Sequence, residues 1–135
     1  MDHAVSGIDH VNIVTHDVDA TADFYTRLLG LRRGESAGAA LGMKGAWMFD
    51  GQDNPIVHIG WKDPARDYSA GHEPGVPTGA IHHVAFRCRG FEAMKARIEA
   101  LGLEHRTMDS ATFSFRQINL KDPNGVNLEL NFAGD

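Results

Sequence analysis

Eight histidines stand in this 135-residue chain, and two of them are adjacent, in Ile81-His82-His83-Val84-Ala85-Phe86. A matching string, Ile8-Asp9-His10-Val11-Asn12-Ile13, lies near the N-terminus. Imidazoles hold metal ions through a neutral nitrogen, and they move protons near neutral pH. Both strings alternate as strands do, and side chains on a strand point alternately to its two faces. His10 then shares a face with Ile8, Asn12 and Val14, and His83 shares one with Ala85 and Arg87, leaving His82 on the side of Val84, Phe86 and Cys88. Two later strings alternate in the same way. In Ile56–Trp61, His58 goes with Ile56 and Gly60, against Val57, Ile59 and Trp61; in Asn127–Phe132, Glu129 goes with Asn127 and Asn131, against Leu128, Leu130 and Phe132. An ionisable group aimed into an apolar cavity is costly unless paired or metal-bound. His10, His58, His83 and Glu129 are therefore candidate metal ligands. Three imidazoles and one carboxylate suit iron, manganese, nickel, cobalt or zinc. They also leave positions open where a substrate binds through two adjacent oxygens. Glu129, or His58 if it leaves the metal, is the candidate for proton transfer. Asn12, Arg87, Asn127 and Asn131 share these faces and are candidate substrate contacts.

The elements that must carry these residues read as a duplication. Ile8 to Val14 is expected to be a strand. Asp17 is a helix N-cap candidate ahead of a helix over Val18 to Leu29, and Gly30 is placed to end it in a left-handed conformation. Arg33 to Gly45, rich in Gly and Ala, is expected to hold a loop beside a short strand. Ala46 to Phe49 and Pro55 to Trp61 follow as strands around a turn at Asp50-Gly51. Residues 62 to 78, with three prolines and two glycines, form a linker that is long for a compact domain. The order then restarts. A strand is expected over Ile81 to Cys88 and a helix over Phe91 to Leu101. Further strands lie near Glu104 to Met108 and at Phe113 to Leu120. Asp122-Pro123-Asn124-Gly125 is a tight turn, and Val126 to Phe132 is the last strand. His10 and His83 are 73 positions apart, Gly30 and Gly102 are 72, and His58 and Glu129 are 71. Such nearly constant spacing marks a repeated βαβββ unit.

Composition narrows the function classes. A formal charge of −5 and the lack of a basic stripe argue against a nucleic-acid partner. No apolar run is long enough for a membrane span. The start Met-Asp-His-Ala-Val-Ser has no basic stretch followed by an apolar core, so no secretory signal is expected. The single cysteine, Cys88, is read as a small buried apolar residue and fits a reducing cytoplasm. Trp47, Phe49, Phe113 and Phe115 are expected mostly in the core, one or two of them at a pocket. The glycines of Gly34 to Gly45 lack the phosphate-loop pattern and its Lys-Ser/Thr ending.

The strings Ile8-Asp9-His10-Val11, Asp23–Gly30 (Asp-Phe-Tyr-Thr-Arg-Leu-Leu-Gly), Ile81–Ala85 and Asp122–Leu130 (Asp-Pro-Asn-Gly-Val-Asn-Leu-Glu-Leu) together resemble the vicinal oxygen chelate superfamily. That superfamily includes glyoxalase I, bleomycin- and fosfomycin-resistance proteins, methylmalonyl-CoA epimerase and extradiol dioxygenases. The resemblance runs from Gly7 to Phe132 and implies an α+β fold: two βαβββ modules, about 7–61 and 79–132, forming a curved mixed sheet around a metal-binding cup in a single domain. It implies metal ligation by His10, His83 and Glu129. His58 stands where glyoxalase I has a glutamate and the epimerase a glutamine, which departs from plain glyoxalase chemistry. The implied activity is that of a metal-dependent enzyme acting on a small molecule, either a glyoxalase-like lyase or isomerase or an extradiol-type dioxygenase. The alternative is a metal-free binding protein of the bleomycin-resistance type. A homodimer is also implied, in which the metal site can be shared between subunits.

Overall fold

A computed structural model describes residues 3–36, 38–66, 69–110, 112 and 115–133. The chain divides into two compact units, with the boundary between Glu73 and Pro74.

The first unit runs β1 (Val11–Thr15), α1 (Val18–Leu29), β2 (Arg32–Glu35), a 3-10 turn at Ala39–Leu41, β3 (Gly45–Phe49) and β4 (Pro55–Trp61). Its sheet has the order β1-β4-β3-β2, with β1 parallel to β4 and the other pairs antiparallel. Helix α1 forms where the sequence supplies both ends. The Asp17 carboxylate accepts from the Ala20 N–H at the start. Gly30, at φ 69°, closes the other end by donating to the Thr26 carbonyl; a non-glycine residue rarely takes that left-handed conformation. Ala22, Tyr25 and Leu28 lie on one side of the helix and are buried with Ile13, Ala46, Met48, Val57 and Ile59 of the sheet. That alternation leaves Asn12, Trp47 and His58 on the opposite face of the sheet.

The second unit repeats the order with β5 (Val84–Cys88), α2 (Phe91–Ala100), β6 (His105–Ser110), β7 (Phe115–Lys121) and β8 (Asn127–Phe132). Its sheet runs β5-β8-β7-β6 with the same pattern of parallel and antiparallel pairs. Phe91, Met94 and Ile98 of α2 are buried with Ile118, Leu120, Leu128, Leu130 and Phe132. The Phe91 and Phe132 rings meet edge to face at 5.4 Å. The α+β class and the paired βαβββ modules expected from the sequence are both present, as two four-stranded mixed sheets with one helix each.

Both opening strands are shorter than expected. Ile8, Asp9 and His10 precede β1, and Ile81, His82 and His83 precede β5; Ile8 and Ile81 are exposed. Extending β1 backward would set Asp9 against Pro55, which has no N–H to donate. Extending β5 would set His82 against Val126, whose N–H donates to Asp122 Oδ1 and whose carbonyl accepts from the Asp122 N–H. The turn that ends one hairpin thus removes the rung its neighbour would use.

Candidate functional site

In the first unit, the sheet register builds a row of three residues. His58 of β4 lies between Asn12 of β1 and Trp47 of β3. Trp47 stacks flat on the His58 ring, with centroids 4.3 Å apart and planes 14° apart. His10, two residues before Asn12, meets Trp47 edge to face with ring centroids 4.7 Å apart and lies 6.1 Å from His58 between centroids. The His10 Nδ1–H donates to the Asp9 carboxylate at 2.6 Å, so Nε2 is the ring nitrogen that this contact leaves unengaged. His58 Nδ1 is 3.1 Å from the Asn12 side-chain amide. With the amide nitrogen as donor, the proton of a neutral His58 sits on Nε2. With the amide turned over, its oxygen accepts from Nδ1–H and Nε2 becomes a metal-competent donor; the choice between the two is a hydrogen-bond assignment. Burial first, and the charge of His10 second, hold the His58 pKa below the ordinary histidine value, so the ring is neutral at pH 7.

In the second unit the equivalent row is Ala85, Glu129 and Asn119. Glu129 Oε1 accepts from Gln117 Nε2 at 3.0 Å and from Asn131 Nδ2 at 2.9 Å. Its other oxygen, Oε2, lies 3.4 Å from His83 Nε2. Two amides thus fix the carboxylate's orientation and direct one oxygen at the imidazole. His83 sits two residues before Ala85, on Glu129's side of the sheet. His82 was expected on the opposite side; being outside the strand, it instead approaches His83, with the two Nδ1 atoms 2.8 Å apart. Only one of those nitrogens can carry a proton in that contact.

The remaining expected residues are placed as follows. Asn12 bonds His58, Asn131 bonds Glu129, and Asn127 Nδ2 donates to the His82 carbonyl at 3.0 Å. Arg87 is exposed, in register with Asn131. Burial lifts the Cys88 thiol to a pKa of about 11, so it is inert at neutral pH. Phe49 lies under the Arg32 guanidinium, 4.5 Å from its ring centre, while Phe113 lies outside the described residues. Among the described residues no group of three or more His, Cys, Asp or Glu side chains gathers at a metal-binding distance. In the first unit the His10 and His58 rings lie 6.1 Å apart between centroids, and in the second His83 Nε2 lies 3.4 Å from Glu129 Oε2.

A cavity of about 390 Å³ opens in the first unit beside His58, bounded by Asn12, Val14, Trp47, Gly60, Trp61 and Lys44 among others. Trp61 was expected on the helix-packing face with Val57 and Ile59. It ends β4, is only partly buried, and lies under the Lys44 ammonium at 4.4 Å. Lys44 and Met43 carried no signal in the sequence, because strand alternation says nothing of the loop before β3.

A family model described as the Glyoxalase/Bleomycin resistance protein/Dioxygenase superfamily matches residues 7–130. The chain belongs to that superfamily. Over 93% of its length and 70% of the relative's, this superfamily member is 24% identical to Glyoxylase I 4 of Arabidopsis thaliana. Its fold is similar to that of a glyoxalase/dioxygenase from Nostoc punctiforme (TM-score 0.75, 20% identity, 98% of this chain and 94% of that one). It is also similar to a mutant of the fosfomycin resistance protein FosX of Listeria monocytogenes, solved with Mn(II) and 1S,2S-dihydroxypropylphosphonic acid (TM-score 0.71, 20% identity, 96% and 94%). At these identities the solved structures speak for the fold. No helix among the described residues of this superfamily member is long and apolar enough to cross a membrane.

Proposed function

We propose that this protein is a divalent-metal-dependent enzyme acting on a small substrate that is chelated through adjacent oxygens, with His10, His58, His83 and Glu129 as the ligands. One observation carries the reading. In each repeat, a histidine just before the first strand lies beside an ionisable residue in the last strand, on the sheet face away from the helix. The donor set fits such an ion. His10 has its Nδ1 tied to a carboxylate, the arrangement that orients a metal-binding imidazole. His58 is neutral at pH 7, as a ligand must be. Two donors bonded at ~2.1 Å and at right angles lie roughly 3 Å apart, and His83 Nε2 and Glu129 Oε2 are 3.4 Å apart.

When bound, the ion supplies Lewis acidity to the substrate oxygens. The chain's own residues do the rest. Trp47 holds the His58 ring in one plane, and Gln117 and Asn131 hold the Glu129 carboxylate. Glu129 Oε2, or the His58 ring if it leaves the metal, accepts the substrate proton. The reaction is a lyase or isomerase step of glyoxalase type, or an extradiol-type oxygen insertion.

Oxygen uptake with catechols, set against turnover of thiol hemiacetals, tests this reading after anaerobic purification and metal analysis. Iron with oxygen uptake supports the dioxygenase; nickel or zinc with hemiacetal turnover supports the lyase. Ligand binding with neither metal nor turnover would instead favour the metal-free binding protein, for which the cavity alone suffices. A homodimer is part of the same reading, to be checked by light scattering.

A further inference from the structure

The cavity of the first unit is uneven in its chemistry. Val14, Met43, Trp47 and Trp61 give it apolar walls, and Gly60 leaves the β4 backbone bare beside His58. Its charges do not cancel. Asp63 is paired with Arg66 at 3.1 Å and accepts the Ala65 N–H at 2.8 Å. Lys44 has no carboxylate partner among the described residues, and its ammonium rests over the Trp61 ring. Of the charged side chains lining the cavity, Lys44 alone has its charge uncompensated by a carboxylate among the described residues, in a protein of formal charge −5. A cation at the rim of an apolar recess attracts anions to it.

Dimensions limit the ligand further. From His58 to Trp61 is three residues along an extended strand, about 10 Å. A cavity of about 150 Å³ suffices for benzene, so 390 Å³ holds one ring with a short side chain. We propose that this cavity takes small aromatic acids, the ring lying between Trp47 and Trp61 over Gly60 and the oxyanion meeting Lys44 Nζ. The proposal deepens the enzyme reading, since it names the substrate class of the same site, but it makes a separate demand on the protein.

Both tryptophans of the chain line this cavity, so their emission reports its occupancy. The test is a fluorescence titration of the full-length protein after chelator treatment, with phenylacetate, phenylacetamide and acetate as probes. Phenylacetate is expected to give a saturable change and to bind about tenfold tighter than phenylacetamide, the size of one charge-assisted contact at a partly exposed site. Acetate is expected to give none below tenfold higher concentration. Lys44→Gln should bring the acid down to the affinity of the amide, and Lys44→Arg should keep the preference. Lys44 is exposed, so neither variant threatens the core. Equal binding of acid and amide by the unaltered protein, a preference that survives Lys44→Gln, or no saturable change overturns the proposal. Because no metal is present, failure of the metal centre leaves this result standing, and absence of the preference leaves the metal centre standing.

Discussion

The two units share one topology but treat their sites differently. Around His58, the neighbours across the sheet are Asn12 and Trp47; around Glu129, they are Ala85 and Asn119. The next row along is Val14, Gly60 and Gly45 in the first unit, and Arg87, Asn131 and Gln117 in the second. Small residues therefore open a cavity next to the histidine, whereas amides fill the same positions and grip the carboxylate. One repeat reads as adapted to admit a ligand and the other to fix a charged donor. Duplication supplies the frame, and divergence at two register rows supplies the difference.

The frame itself is expected to be equally demanding in both units. Ile59 and Leu130 occupy matching strand positions and are fully buried. Truncating either to Ala leaves a cavity and should lower unfolding free energy by about 2–5 kcal/mol in urea titrations. A loss under about 1 kcal/mol at one of them would show that its sheet is not packed as described.

Next in size is the grip on Glu129. Asn131→Ala removes one of the two amide donors to Oε1. Loss of a residue that orients a ligand weakens metal binding by about 10–100-fold, to be read by Mn(II) titration. Unchanged affinity would separate the amides from the metal. The comparison can also be broken by exchange. Gly60→Asn puts the second unit's residue into the first. A Cβ there would sit 3.4 Å from Asn12 Oδ1, a tight contact that a small shift can relieve. Phenylacetate affinity is expected to fall about tenfold or more with the fold intact, read by fluorescence and circular dichroism; undiminished binding would place the ligand elsewhere.

The smallest effect concerns pH. The His58 pKa is lowered in the folded chain. Its unfolded form therefore binds a proton first as pH falls. The stability tied to the neutral ring is complete above the ordinary histidine value of about 6.5 and is lost as pH drops from there toward the lowered folded value. Metal-free protein should thus lose more stability between pH 7.5 and pH 5 than His58→Gln does. Parallel losses would contradict the neutral, partly buried ring.

Much of the frame was legible because local chemistry agreed with it. Asp17, Gly30 and the apolar spacing between them set α1 at its observed length, and Pro55 to Trp61 is a strand from end to end. Asp122 to Gly125 turns as its residue types demand, with Gly125 at φ 83°. What escaped notice depended on partners distant in sequence. The strands beginning at Val11 and Val84 lose their first rungs to Pro55 and to the Asp122 turn. Alternation put His58 and Glu129 on the right faces. It could not reveal that Asn12, Gln117 and Asn131 would bond them, since cross-strand register is not written in either strand alone. Trp61 and Lys44 meet at a strand end, where alternation no longer governs.

The most direct measurement is manganese bound per chain, by electron paramagnetic resonance, in the unaltered protein and in His58→Ala and Glu129→Gln. One ion per chain, lost alike when either unit's residue is replaced, is the expected result. Two ions per chain, or one that survives both replacements, would contradict the assignment of both pairs to one centre.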